Sequence, residues 1–199
     1  MRMTPPAPLT AWRRDQRALL LAARQAMSTA AHRIASRALA ERLAQQLQQP
    51  CPTILGGYWP IRREFNPLPL MQQQLAHGVQ IALPVVLARD APLQFRLWHP
   101  GARLAVGSWD IPYPADGAAV LPDTLLVPLL GFDLDGYRLG FGGGYYDRTI
   151  AALSPTPRLL GVGFAAARLT TIYPQSHDVR MHRIITDAAT LDPSLTSAG

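Results

Sequence analysis

The chain has 199 residues, 48% of them hydrophobic, with mean hydropathy +0.04, a formal charge of +6 and a pI near 10.2. That is enough apolar content for one globular domain with a full core, while no run approaches the roughly eighteen apolar residues of a membrane span. The opening Met1-Arg2-Met3-Thr4-Pro5-Pro6 lacks the apolar stretch of a signal peptide, and the lone Cys51 excludes an internal disulfide, so the composition predicts a soluble, cytoplasmic protein.

All nineteen basic residues are arginine. The densest groups are Arg13-Arg14-Arg17 and Arg62-Arg63; the rest are scattered, which suits polyanionic small molecules as well as nucleic acid. Residues 1–9 read as a flexible lead-in. Thr10 is placed to cap a helix to about Met27, with Arg13 and Arg17 on one face at i and i+4. Ser28 is placed to cap a second helix to about Gln48, with Ile34, Ala38, Leu43 and Leu47 as its apolar stripe and Pro50 as its stop. Thr53–Trp59 reads as a strand, followed by the loop Pro60-Ile61-Arg62-Arg63-Glu64. Glu64 there is either a surface carboxylate paired with Arg62 or Arg63, or a ligand contact.

A helix from Leu68 to His77, a strand from Val79 to Pro84 and a half-exposed strand from Leu93 to Trp98 come next. Leu125–Leu130 is an apolar run short enough for a buried strand. It leads into Gly131-Phe-Asp-Leu-Asp-Gly-Tyr-Arg-Leu-Gly-Phe-Gly-Gly-Gly-Tyr-Tyr-Asp-Arg148, and Tyr146–Leu153 then reads as a short helix. Strand, glycine loop and helix in that order build an anion nest: glycines uncover backbone N–H groups and permit positive φ, and the helix N-terminus adds its dipole. Arg138 and Arg148 flank the nest with phosphate-binding geometry. Asp147 could hold a divalent cation on the bound phosphate.

Familiar motifs fail on the letters. Counting G-x-G-x-x-G from Gly140 or Gly142 ends on Tyr145 or Asp147. A Walker loop needs a lysine, and the chain has none. Asp133-Leu134-Asp135-Gly136 begins like a calcium loop, but Gly144 stands where the bidentate glutamate belongs. Later, Leu159–Phe164 reads as a strand, and another lies around Arg183–Thr186. His177, Asp178 and His182 lack a third imidazole for zinc. Residues 188–199 read as a flexible tail, leaving 10–187 as one domain.

The run Gly131–Arg148 resembles the signature of the 5-formyltetrahydrofolate cyclo-ligases, also called methenyltetrahydrofolate synthetases. The likeness extends over about residues 10–187 and is good at 58–64 and 177–186. It implies a three-layer, Rossmann-like α/β sandwich with a largely parallel sheet, similar to the sugar-phosphate isomerase and CoA-transferase-like fold. It also implies ATP-dependent cyclisation of 5-formyltetrahydrofolate to 5,10-methenyltetrahydrofolate, with ATP as co-substrate and Mg²⁺ as cofactor.

By the same resemblance, ATP is bound by Arg13, Arg17, Arg138, Leu139, Gly140, Phe141, Gly142, Gly143, Gly144, Tyr145 and Tyr146. Folate is contacted by Trp59, Glu64, Phe141 and Tyr145, metal by Asp147 and Asp178, and Tyr145 and Arg138 carry catalytic roles. A carboxylate at Glu64 suits the donor groups of a pterin. The family usually has lysine where Arg13 stands, often has glutamate at Tyr113 and another acid at His182, and differs again at Arg63. The expected partners are small-molecule substrates, without membrane or nucleic acid, in a monomer or weak homo-oligomer. A diverged paralogue acting on another substrate and a basic nucleic-acid-binding protein are the alternative readings.

Overall fold

The structure is a computed structural model that describes residues 4–196. Elements run in the order α1 (Leu9–Ala26), α2 (Thr29–Gln46), β1 (Ile54–Gly56), α3 (Leu68–Ala76), β2 (Gln80–Val85), β3 (Gln94–Trp98) and β4 (Leu104–Val106). Then come β5 (Pro112–Pro114), β6 (Ala119–Val120), β7 (Thr124–Pro128), β8 (Gly131–Phe132), β9 (Arg138–Leu139), α4 (Tyr145–Ala152), β10 (Arg158–Val162), β11 (Arg183–Ile185), β12 (Thr190–Leu191) and α5 (Pro193–Thr196).

Eight strands form one sheet in the order β12-β11-β10-β7-β1-β2-β3-β6. Its centre, β11-β10-β7-β1-β2, is parallel, while β12 on one side and β3 and β6 on the other are antiparallel. Alternation along the strands separates two cores. Ile81, Leu83, Leu126, Leu160 and Ile185 face the side covered by α2 and α3; Ala82, Leu125, Val127, Leu159 and Ile184 face the side where Ile150 of α4 packs. Such two-sided burial gives the parallel strands their continuous apolar runs. The layers are helix, sheet, helix, as the sequence led one to expect.

The chain leaves β1 for β2 and β3 on one side, then returns past β1 to place β7, β10 and β11 on the other. The connections therefore diverge between β1 and β7, and a crevice opens at the carboxyl ends of those strands.

Several local expectations change. Helix α1 starts one residue before Thr10: Pro8 occupies the cap position without a side-chain bond, its carbonyl accepting from Ala11 N and Trp12 N. Ser28 does cap α2, accepting from Ala31 N. The buried stripe of α2 is Leu39, Leu43 and Leu47, while Ile34 is 67% exposed. The i, i+4 series through these leucines begins at Ala35, one residue round the helix from Ile34. Beyond Ala188 the chain runs into ordered structure rather than a tail: β12 pairs with β11, and Asp192 meets Arg183 at 3.3 Å. Residues 1–3 and 197–199 of the lead-in and tail lie outside the described residues.

A candidate active site at the strand switch point

A cavity of about 470 Å³ occupies the crevice. Tyr58 and Trp59 reach it from the end of β1, Pro84 and Val86 from β2, and Pro128 from β7. The segment after β7 folds as a small hairpin, β8 with β9, pinned by the fully buried Asp133, which accepts from Tyr137 N at 3.0 Å and Ile172 N at 2.9 Å. The carboxylate that opened the failed calcium motif is thus a loop staple. The hairpin delivers Arg138 to the cavity, and the glycine loop leaves from Leu139.

Gly142 (φ 96°) and Gly144 (φ 66°) adopt left-handed backbone, and Gly144 caps α4 without a side chain. Gly143 does not share the positive φ, so the conformational demand falls on its neighbours. Arg17 Nε donates to Gly140 O at 2.8 Å, and the Arg17 guanidinium carbon lies 3.2 Å from where a Cβ at Gly142 would sit. Arg148 Nη2 donates to Gly143 O at 2.7 Å and lies over the Tyr145 ring at 5.1 Å. It lines a neighbouring cavity, not this one.

Two carboxylates face the loop, each held by an arginine. Arg138 Nη2 donates to Asp147 Oδ2 at 2.9 Å, and Val179 N donates to Asp147 Oδ1 at 3.3 Å. Arg13 clamps Asp178 with both terminal nitrogens, while its Nε and Nη2 also bond the carbonyls of Ile172 and Tyr173. Burial opposes ionisation of Asp178, but the Arg13 and Gln175 N–H bonds outweigh it and keep the carboxyl below its usual range. Burial first, then the adjacent Arg13 charge, lowers the pKa of Arg17. Guanidiniums around a glycine nest have the chemistry that suits a phosphorylated anion.

Asp147 keeps lone pairs beyond its two bonds, whereas Asp178 already accepts three. The donor set fits one oxygen-ligated divalent cation on a phosphate, with Asp147 the readier ligand. Among the described residues no three His, Cys, Asp or Glu side chains cluster.

Another part of the lining differs. Glu64 is only 6% exposed and pairs with neither Arg62 nor Arg63, its Oε2 accepting from Ile61 N at 3.0 Å. Burial raises its pKa from 4.5 to about 7 against the opposing pull of that bond, Arg24 and Arg62. Trp59 stands beside it in the cavity wall. The hairpin of β4 and β5 closes one side with Trp109 at its tip, 5.5 Å edge-on from Tyr145.

Arg13, Arg17, Trp59, Glu64, the whole run from Arg138 to Asp147, and Asp178 line the same cavity. Tyr58, Arg62, Trp109, Tyr113 and His177 also line it, and sequence reasoning gave none of them a role. Of these, Arg62 stood in a dense arginine pair, Tyr113 where the family often has glutamate, and His177 in the group weighed for zinc. Arg63 instead bonds Met27 O, and His182 Nδ1 accepts from Leu159 N, both away from the lining.

A parallel sheet with a cationic, glycine-floored cavity at its switch point is the layout of α/β enzymes that seat phosphorylated ligands at strand carboxyl ends. This chain belongs to the 5-formyltetrahydrofolate cyclo-ligase family, which it matches over residues 9–187. The 5-formyltetrahydrofolate cyclo-ligase of Mycolicibacterium smegmatis is 33% identical over 138 residues, spanning 65% of this chain and 71% of that protein. The Escherichia coli K12 cyclo-ligase is 34% identical over 132 residues, spanning 57% and 72%. The solved 5,10-methenyltetrahydrofolate synthetase of Aquifex aeolicus matches with TM-score 0.75 and 26% identity, covering 91% of this chain and 92% of that one. That of Mycoplasma pneumoniae, at 24% identity, TM-score 0.74 and coverage of 88% and 98%, speaks to the fold alone.

Proposed function

We propose that this protein closes 5-formyltetrahydrofolate to 5,10-methenyltetrahydrofolate at the expense of ATP, releasing ADP and phosphate. The observation that carries the reading is one cavity lined by two unlike sets of residues: Arg13, Arg17 and Arg138 with the glycine nest, and Trp59 with Glu64. The first set suits a triphosphate. In the second, Glu64 accepts from the donor groups of the pterin while Trp59 packs against an aromatic ring.

The formyl oxygen is a poor leaving group as it stands. Its attack on the γ-phosphorus breaks the bond to the bridging oxygen and expels ADP. Nitrogen 10 then attacks the activated formyl carbon and loses its proton, and phosphate departs with the former formyl oxygen. The enzyme's work is alignment and charge neutralisation. Arg138 and the loop N–H groups hold the transferring phosphoryl group, Arg13 and Arg17 hold the remaining phosphates, and Tyr145 orients the formyl group between the substrates. Asp147, with Asp178 beyond it, would hold Mg²⁺, which when bound offsets phosphate charge.

The test is direct. Protein, ATP, Mg²⁺ and 5-formyltetrahydrofolate should generate methenyl-folate absorbance with one ADP per product. ADP release that does not depend on the folate would overturn the reading.

A further inference from the structure

The turn before Glu64 presents a cation that the reaction described above does not use. Arg62 (φ 47°) and Arg63 (φ 59°) both hold left-handed backbone, closed by Glu64 N donating to Ile61 O at 2.9 Å. Neither residue is a glycine or asparagine, so the turn is strained, and such strain persists where surrounding structure imposes it. The restraints are visible. Arg24 Nε donates to Arg62 O at 3.1 Å, Ile61 N is held by the Glu64 carboxylate, and Arg63 Nη2 bonds Met27 O at 2.8 Å.

The turn aims the Arg62 side chain into the cavity lining, with its guanidinium carbon 5.2 Å from the centre of the Phe141 ring. Among the described residues, no carboxylate or carbonyl bonds that guanidinium. Arg13 and Arg138 are committed to Asp178 and Asp147, and Arg17 to Gly140 O. Arg62 is exposed where Glu64, two residues on, is buried, so it stands at the mouth of the wall that Glu64 forms at depth.

Resting on the folate reading, we infer that Arg62 is a specificity-determining residue that receives the glutamyl carboxylate of the substrate. With the pterin at Glu64, the glutamyl end is the part of the folate that must leave through the mouth. It also carries the only negative charges of that substrate at neutral pH. Stacking on Phe141 pre-orients the guanidinium for it.

The test compares 5-formyltetrahydrofolate with 5-formyltetrahydropteroate, which keeps the reacting atoms and lacks the glutamate. In the wild type the pteroate should have a KM about tenfold higher, the scale of one charge-assisted bond at a solvated site, with a difference that shrinks as salt rises. Arg62→Gln should raise the KM of the folate to that of the pteroate, leaving the pteroate KM, the ATP KM and kcat unchanged. Arg62→Lys should restore part of the difference. Equal weakening of both substrates would make Arg62 a turn residue only, and a rise confined to the ATP KM would place it on phosphate; either overturns the inference. Arg62→Gly, free of the backbone strain, separates loss of the side chain from damage to the turn. Should the wild type turn over neither compound, the reaction reading fails by itself, and the same comparison by equilibrium binding still decides the role of Arg62.

Discussion

Arg138 and Asp147 meet at 2.9 Å beneath the glycine loop, and the second oxygen of Asp147 takes the N–H of Val179. The pair ties the β8–β9 hairpin to the first turn of α4 and to the segment approaching β11. It also leaves Arg138 Nε buried without an acceptor among the described residues. A cation so enclosed and incompletely satisfied would gain from one further acceptor.

Asp147→Asn keeps the shape of the side chain and removes its charge. We expect a folded protein, destabilised by about 1–3 kcal/mol because Arg138 loses its buried counter-charge. Turnover should drop by about 10²-fold or more, as when a stabiliser of transition-state charge is weakened, and excess Mg²⁺ should recover part of it. Thermal melts give the first quantity and a Mg²⁺ titration of turnover the second. Normal turnover with unchanged Mg²⁺ dependence would reduce Asp147 to a structural partner of Arg138.

The glycine loop offers a positional contrast. A side chain at Gly142 faces both a φ of 96° and the Arg17 guanidinium, whereas at Gly143 it meets only the Tyr145 ring, 2.9 Å from the new Cβ. Gly142→Ala should therefore weaken ATP binding by about tenfold or more, through strain of about 1–3 kcal/mol. Gly143→Ala should cost less, since the ring can rotate. Calorimetric titration with ATP ranks the two, and equal losses would mean that donor coverage matters more than backbone conformation.

Glu64 makes stability depend on pH. Its carboxyl titrates near 4.5 when unfolded and at about 7 when folded. The raised value means that its contribution is fully present below pH 4.5 and is lost as pH rises through about 7. Glu64→Gln should lack this trend and exceed the wild type above pH 8 by about 2–4 kcal/mol. The same substitution should weaken folate binding by about 1.5–3 kcal/mol and leave ATP binding alone. Denaturant melts at pH 5 and pH 8 decide the first point; a stability difference that does not change between them would show that Glu64 is already ionised in the folded state.

Much of this site was legible because its parts are local. Strand, glycines and helix follow one another within 125–153, and Arg138 to Asp147 form one continuous stretch of cavity lining. Apolar runs of β7 and β10 likewise announced buried parallel strands. What could not be read was distant or conformational. Arg13 meets Asp178 across 165 positions and Arg17 meets Gly140 across 123, pairings fixed by where α1 lies on the finished sheet. Arg62 and Trp109 adopt positive φ that their residue types do not signal, so neither the turn nor the hairpin tip was visible as a wall of the cavity. Between surface acid and ligand contact, the two readings the sequence left for Glu64, the letters could not choose, because burial is a property of the fold.

Both edges of the main sheet end in strands of two residues, Thr190–Leu191 and Ala119–Val120. An open edge is a template on which a foreign strand can add, and its hazard grows with the length of unpaired backbone. Here an incoming segment finds too little ladder to register against on either side. The apolar five-strand centre is thereby fenced from strand addition, so self-association into fibres would first require peeling away an edge.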